Sequence, residues 1–343
     1  MDWVRGKKLG HGSFATVNLA VPRNQSSKLS PLMAVKSCWV SLSSSLKNEK
    51  IILEELRDCP EIINCFGESF SSENGELLYN ILLEYASGGS LADKLKNSGE
   101  RRMPELEVRR YTKALLRGLN YIHKSGYIHC DFKLQNILLC QNDAVKIADF
   151  GLARKSEEKE RSYVRGTPMY MSPEMAAGGD QGTAADVWAL GCAVAEMMTG
   201  SPVWRCSDVA GLLMKIGGGD EWPEIPRDLS EEGKDFLEKC FVKDPIKRWT
   251  AEMLLDHPFV CAKTGLIHVE EKYTASTSPK CAFDFPDDWV SSVTCSITSL
   301  PSPEYSSESS SRSCVAEVAE RLLELVSGQS PDWSVSEGWI TVR

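Results

Sequence analysis

Residues 128–136 read IHCDFKLQN, and residues 146–151 read KIADFG. In these two stretches, Asp131 is a carboxylate that can accept a hydroxyl proton. Asn136 and Asp149 follow close in the chain and offer oxygen ligands for a divalent metal ion. Phosphoryl transfer requires groups of this kind, because alignment and charge neutralisation do most of the work in that reaction.

A glycine-rich stretch, GHGSFATV at residues 10–17, lies upstream between two strand-like runs. Its glycines would let the backbone approach a triphosphate closely. Taken alone the pattern is weak, since a glycine-rich hairpin turn is more often merely a turn. The pattern GxxxxGK[ST] does not occur, which excludes a P-loop.

A lysine and a glutamate follow at a suggestive spacing. Lys36 ends a short apolar run at residues 32–36, and Glu49 lies 13 residues later in a helical pattern over about 46–56. A lysine on a strand can pair with phosphates when a carboxylate holds it in place. By itself, an ordinary exposed lysine is the commoner explanation.

The order of patterns predicts a small β-rich lobe followed by a larger helical lobe. Short alternating or apolar runs dominate the first 85 residues, apart from the helical pattern at 46–56. From about residue 104 the helical period dominates, with one apolar face over 105–123. We find no internal repeat.

Composition excludes several classes of protein. The chain has 343 residues, 42% of them hydrophobic, and a formal net charge of −9, which argues against disorder throughout and against a main role in neutralising nucleic acid or anionic membranes. No apolar run is long enough to span a bilayer, and the first residues lack a signal-peptide core and the glycine that myristoylation needs. The 12 cysteines are scattered without a CxxC pair, which favours reduced thiols. We therefore expect a cytoplasmic or nuclear protein without membrane insertion.

Composition changes near residue 260. From residue 264 onward, 5 Lys or Arg stand against 12 Asp or Glu, a net charge of −7. Serine dominates residues 291–313, which predicts a largely disordered, acidic tail over 264–343. Apolar residues on one helical face predict a short amphipathic helix at about 315–326.

Five motifs in one order resemble the signature set of the protein kinase family. They are the glycine-rich stretch, MAVK at 33–36, the HxDxKxxN pattern at 129–136, DFG at 149–151 and SPE at 172–174. The resemblance covers residues 3–259. It implies an α+β, two-lobed kinase fold, with an N-terminal lobe at about 3–84 that has one main helix and a helical C-terminal lobe at about 87–259.

The resemblance also implies ATP and Mg²⁺. It assigns Asp131 as the acceptor of the substrate hydroxyl proton and Lys133 as its assistant at the γ-phosphate, with Asn136 and Asp149 as metal ligands. It further implies that Glu174 and Arg248 pair as a structural brace.

Nucleotide binding is assigned in the same way. Lys36 would hold the α- and β-phosphates, braced by Glu49, and Leu83 would guard the rear of the pocket. The full set of nucleotide-binding residues that the resemblance implies is Leu9, Gly10, His11, Gly12, Ser13, Phe14, Ala15, Val17, Ala34, Lys36, Glu49, Leu83, Glu84, Ala86, Asn136 and Asp149.

Two features indicate that the acceptor is serine or threonine. Lys133 in the catalytic loop and the stretch GTPMY at 166–170 are similar to serine/threonine kinases rather than tyrosine kinases. Within that stretch, Thr167 is interpreted as part of the substrate platform.

Two residues depart from the family pattern. Ala15 replaces the third glycine, a change found in active members of the family. Cys130 replaces the arginine that usually precedes the catalytic aspartate and pairs with an activation-loop phosphate. We therefore predict that the loop over 152–165 orders without phosphorylation. The acidic run at 157–160 is interpreted as a solvated flap, and a built-in mimic of the phosphate is the alternative.

Four stretches resemble short plant MEKK-like MAP kinase kinase kinases. They are residues 1–10, HCD at 129–131, VRGTP at 164–168 and residues 338–343. This implies MAP kinase kinases as substrates and a place in stress or hormone signalling. Ser278, Ser302 and Ser330 each precede a proline, which suggests feedback phosphorylation by a downstream proline-directed kinase.

Two alternatives stay open at the level of sequence. One is a pseudokinase scaffold that binds partners with weak or no catalysis, which the presence of Lys36, Asp131, Asn136 and Asp149 disfavours. The other is a cytoplasmic serine/threonine kinase outside the MAP kinase cascade.

Overall fold

The computed structural model describes residues 3–261, except 13–14, 24–31, 74, 159–164, 207 and 220. The predictions for the tail at 264–343, including the helix at 315–326, lie outside the described residues. So do Ser13 and Phe14. Within the part that is described, no helix is both long enough and apolar enough to cross a membrane.

The N-terminal lobe is a five-stranded antiparallel sheet. In sheet order β1-β2-β3-β5-β4, its strands are β1 (Trp3–His11), β2 (Thr16–Pro22), β3 (Met33–Trp39), β5 (Glu76–Glu84) and β4 (Cys65–Glu73). The predicted glycine turn joins β1 to β2. The register places Lys36 of β3 opposite Ile81 of β5 and Ala34 opposite Leu83. Ala34 and Lys36 are two residues apart, so their side chains share one face of the sheet, and that face lines the cleft below it.

One helix, α1 (Ser44–Glu55), crosses between β3 and β4. Leu46, Ile52 and Leu53 are buried at helical spacing, which fixes the face that packs against the sheet. Glu49 lies on the same face and is buried with them. The apolar period of α1 therefore also delivers a carboxylate to the inner side of the lobe.

The C-terminal lobe is helical. Its helices are α2 (Leu91–Asn97), α3 (Glu105–Lys124), α4 (Pro173–Ala176), α5 (Thr183–Thr199), α6 (Val209–Gly218), α7 (Glu231–Cys240), α8 (Ala251–Leu255) and α9 (Pro258–Cys261). Helix α5 is apolar around most of its circumference, and most of its residues are buried, as expected for a helix surrounded by others. The predicted α+β architecture of two lobes is confirmed.

Two short two-stranded sheets carry the loops with the candidate catalytic residues. Strand β6 (Tyr127–Ile128) pairs with β9 (Arg154–Lys155), and β7 (Ile137–Leu139) pairs with β8 (Val145–Ile147). The catalytic loop connects β6 to β7, and the DFG stretch connects β8 to β9. Because the strands lie side by side, both loops emerge at the same side of the lobe, beneath the sheet.

Candidate functional site

An ion-pair triad joins the two lobes. Lys36 Nζ lies 2.6 Å from Glu49 Oε2 and 2.9 Å from Asp149 Oδ1. Strand β3, helix α1 and the DFG stretch each supply one member. The separation of 13 residues between Lys36 and Glu49 in the sequence is thus the length of chain that leads from β3 to the turn of α1 that faces it.

The charges of the triad depend on one another. Loss of hydration would lower the pKa of Lys36, but Asp149 and Glu49 outweigh it and raise that pKa above its ordinary value. Loss of hydration likewise opposes ionisation of Asp149, yet the Lys36 ammonium lowers the pKa of this carboxyl to about 2. Lys36 is therefore a fixed cation at neutral pH, and Asp149 is a fixed anion.

The second carboxylate, Asp131, lies in a closed set of polar contacts. Lys133 Nζ is 2.8 Å from Asp131 Oδ2 and also donates to Thr167 Oγ1 at 2.8 Å. The Thr167 hydroxyl in turn donates to Asp131 Oδ1 at 2.8 Å. Asn136 Nδ2 donates to the backbone oxygen of Asp131 at 2.9 Å and to Oδ2 at 3.1 Å. These contacts hold the Asp131 side chain in one rotamer, as a proton acceptor must be held.

A buried aspartate on α5 supports this loop from below. Asp186 accepts hydrogen bonds from the backbone N–H of His129 at 2.9 Å and of Cys130 at 3.1 Å. It also pairs with His123 Nε2 at 2.9 Å. Desolvation raises its pKa, but the bond and charge of His123 outweigh this and lower it below the ordinary value. The bend before Asp131 is thus fixed to the central helix of the lobe.

His129 is a structural residue in this arrangement. Its ring is fully buried and lies edge-on to Phe150, with ring centroids 4.9 Å apart. Nε2 contacts the oxygen of Ala148 at 3.1 Å. These contacts join the catalytic loop to the DFG stretch.

The cleft above the triad is lined as a nucleotide site requires. Apolar side chains from both lobes form its walls, and Lys36 and Asp149 lie at its polar end. Of the nucleotide-binding residues expected from sequence, those that line the cleft are Gly12, Ala15, Val17, Ala34, Lys36, Glu49, Leu83, Glu84, Ala86, Asn136 and Asp149. Asp131 and Lys133 line it as well.

Three expected residues are not among those that line the cleft. Leu9 is buried in the hydrophobic core, and Gly10 is paired with Val17 in the sheet. The exposed His11 contacts Thr16 Oγ1 at 3.3 Å. The motif predicted the position of the loop, but the pleat of β1 decides which residues face inward. Glu84 contributes to the cleft, while its carboxylate accepts from Lys146 at 2.7 Å and Asn64 at 2.8 Å.

The donor set at Asn136 and Asp149 fits Mg²⁺. Among the described residues, Asn136 uses its amide nitrogen on Asp131, and Lys36 and the Gly151 N–H both use Oδ1 of Asp149. This leaves one amide oxygen and one carboxylate oxygen as hard oxygen ligands, the type that Mg²⁺ prefers. The Asp149 side chain is 47% exposed, so a ligand can reach it.

Several residues of the site carried no sequence signal. Ser45 Oγ donates to the oxygen of Gly151 at 2.8 Å, and Asn48 Nδ2 donates to that of Ala153 at 3.3 Å. These polar residues occupy helix positions that no pattern distinguishes from solvent-exposed ones. By contrast, the expected pair of Glu174 with Arg248 is present, with two bonds of 2.7 and 2.8 Å.

Comparison with known proteins agrees with this geometry. Residues 3–260 match the family described as the protein kinase domain. The chain is 49% identical to mitogen-activated protein kinase kinase kinase 20 of Arabidopsis thaliana across the full length of both chains. It is 42% identical to mitogen-activated protein kinase kinase kinase 17 of the same plant, over 83% of this chain and 76% of that one. It is 43% identical to mitogen-activated protein kinase kinase kinase 18, also of that plant, over 78% of this chain and 81% of that one.

Proposed function

The chain belongs to the protein kinase family and is a serine/threonine protein kinase, and from that premise we propose that its substrates are MAP kinase kinases. The observation that carries the proposal is the similarity along the full length of both chains to a MAP kinase kinase kinase. Two further relatives with the same description support it. The similarity extends through the tail as well as the catalytic domain.

The residues of the site support direct phosphoryl transfer from ATP. Asp131 would accept the proton of the substrate hydroxyl while Lys133, 2.8 Å away, neutralises the charge that develops on the transferred phosphoryl group. Lys36 would hold the phosphates of ATP, with Glu49 keeping it in place. Asn136 and Asp149 would hold Mg²⁺, which supplies charge neutralisation at the phosphates when bound.

The decisive experiment is transfer of labelled phosphate from ATP·Mg²⁺ to a panel of catalytically inactive MAP kinase kinases. Lys36→Met and Asp149→Ala serve as controls, because each removes one member of the triad. We expect label on one or two members of the panel and none with either control. Label on a generic substrate but on no panel member would discard the substrate proposal and keep the kinase.

We also propose that the protein resides in the cytoplasm or nucleus.

We further propose that Ser278, Ser302 and Ser330 are acceptors for a proline-directed kinase. The support for these acceptors is the Ser-Pro pattern in an acidic segment. Phosphopeptide mapping after stimulation tests the proposal on the three serines, with a variant that carries Ser→Ala at all three positions as the control. A map without tail Ser-Pro phosphate would contradict it.

A further inference from the structure

Arg154, the first residue of β9, binds backbone oxygens on two separate segments. Its Nη1 donates to the oxygen of Lys155 at 3.1 Å and to that of Glu158, and its Nη2 donates to the oxygen of Gln181. A guanidinium can do this because it presents five N–H donors in a rigid fork. Arg154 therefore ties the activation segment to the loop that precedes α5.

The side chain of Gln181 continues this connection into the catalytic loop. Its Nε2 donates to the backbone oxygen of Cys130 at 3.2 Å. Cys130 has a φ of 68°, which is unfavourable for a residue with a Cβ and persists only where neighbours hold it. Asp186 holds its N–H and Gln181 holds its oxygen, so Cys130 is held on both sides of its Cα, in the peptide unit before it and in the one that leads into Asp131.

Cys130 itself supplies no charge to this region. Its side chain is buried, and desolvation raises the pKa of its thiol far above neutrality. A neutral side chain at this position cannot hold an anionic group on the activation segment. The connection through Arg154 and Gln181 requires no such group, because every acceptor in it is a backbone oxygen.

The start of the activation segment is held in the same manner from α1. Ser45 and Asn48 donate to the backbone oxygens of Gly151 and Ala153. Lys36 is paired with both carboxylates of the triad in this arrangement. Side chains thus hold backbone oxygens at 151 and 153 from α1, and at 155, 158 and 181 from Arg154.

We propose that Arg154 and Gln181 are positioning residues that hold Asp131 in its catalytic geometry without a phosphate on the activation segment. The inference rests on the proposed role of Asp131 as the acceptor of the substrate proton. Neither residue touches the reacting atoms, since Arg154 acts through Gln181 and Gln181 acts through Cys130.

The test uses the full chain, produced in bacteria and treated with phosphatase, with mass spectrometry to verify that the activation segment carries no phosphate. Casein serves as a generic substrate. We expect Gln181→Ala to lower kcat about tenfold and to leave KM for ATP within about twofold, because a small misplacement of Asp131 slows transfer but leaves the Lys36 triad intact. Arg154→Ala should behave alike. Arg154→Lys should recover only part of the rate, because one ammonium cannot serve both segments.

Matched controls are Arg57→Ala and Gln141→Ala, at exposed positions away from the cleft. Both should keep the wild-type kcat. A kcat for Gln181→Ala and Arg154→Ala within about twofold of wild type would overturn the proposal. So would a fall in melting temperature that accounts for the lost activity, or a rise in KM for ATP equal to the fall in kcat.

The phosphatase treatment tests the second part of the proposal. The wild-type chain should keep most of its activity after the treatment, and a loss of more than about nine-tenths would overturn independence from phosphate. Casein keeps this test separate from the substrate proposal. If the wild-type chain labels casein but no MAP kinase kinase, the substrate proposal is discarded. The roles of Arg154 and Gln181 are then still decided by the kcat of their variants on casein.

Discussion

At the scale of single residues, the Thr167 hydroxyl connects the two groups nearest to the reaction. It accepts from Lys133 and donates to Asp131, and both bonds are 2.8 Å long. One hydroxyl thereby fixes the position of both side chains relative to each other.

We predict that Thr167→Val lowers kcat at least about tenfold while Thr167→Ser keeps most of it, because valine removes the hydroxyl and leaves Lys133 and Asp131 without their common partner. KM for ATP should not change, since Lys36 is untouched. Steady-state kinetics on a generic substrate checks both variants. Equal activities for Val and Ser would show that the hydroxyl is dispensable.

Glu196, on α5, is a carboxyl group with an unusual titration. Burial raises its pKa to about 7, although the hydrogen bond from Tyr170 partly opposes this. Between its ordinary value of 4.5 and about 7, the unfolded chain releases this proton while the folded chain keeps it. The free energy of unfolding therefore falls as pH rises through that window.

We predict that Glu196→Gln is increasingly stabilised relative to wild type as pH rises from 5 to 7.5, by up to about 3 kcal/mol. Glutamine keeps an acceptor for Tyr170 and has no proton to release. Urea unfolding of both proteins at the two pH values measures the difference. A difference that does not change with pH would contradict the assigned titration.

At the scale of elements, the pair of Glu174 and Arg248 fastens α4, at the end of the activation segment, to the body of the lobe. The Arg248 side chain is 0% exposed and also donates to the backbone oxygens of Ala184 and Val242. A buried ion pair stabilises the folded state little more than well-packed apolar side chains of the same volume would. Removing one partner is costly, however, because the other charge is left buried and uncompensated.

We predict that Arg248→Met lowers the free energy of unfolding by about 3–5 kcal/mol, because Glu174 and three backbone oxygens lose their donor. The neighbouring Lys247 is 77% exposed, so Lys247→Met should change stability by less than about 0.5 kcal/mol. Urea unfolding distinguishes them. Similar losses for both would mean that the pair does not hold α4.

The sequence predicted those features of the elements that leave a pattern in neighbouring residues. The helical pattern at 46–56 corresponds to α1 at Ser44–Glu55, and the spacing of Lys36 and Glu49 corresponds to their ion pair. Local periodicity and motif order carried that information. The bonds of Arg154 and Gln181 could not be predicted, because they join one side chain to a backbone oxygen far away in sequence. Such bonds impose no pattern on neighbouring residues.

At the scale of the whole molecule, one hydrophobic cluster runs through both lobes, from Leu9 to Val260. It includes Leu53 of α1 and Trp188 of α5. A core of this extent is sufficient to fold a domain of this length.

We therefore predict that a chain ending at residue 269 folds, melts within a few degrees of the full chain, and keeps its activity on casein. Thermal unfolding and a kinase assay check this. Loss of cooperative unfolding in the shorter chain would show that the acidic tail contributes to the fold. Loss of activity alone would assign the tail a direct role in catalysis.

The contact of Lys36 with Asp149 has a consequence for turnover. An ammonium in a sheltered cleft is costly to leave without an anion. In this structure two carboxylates satisfy it, that of Glu49 at 2.6 Å and that of Asp149 in the DFG stretch at 2.9 Å. We expect an arriving nucleotide to replace the Asp149 contact of Lys36 with a phosphate contact while Glu49 stays in place, and the departure of ADP to restore it. Asp149 would then act as a stand-in for the phosphates and lower the electrostatic cost of emptying the cleft after each transfer.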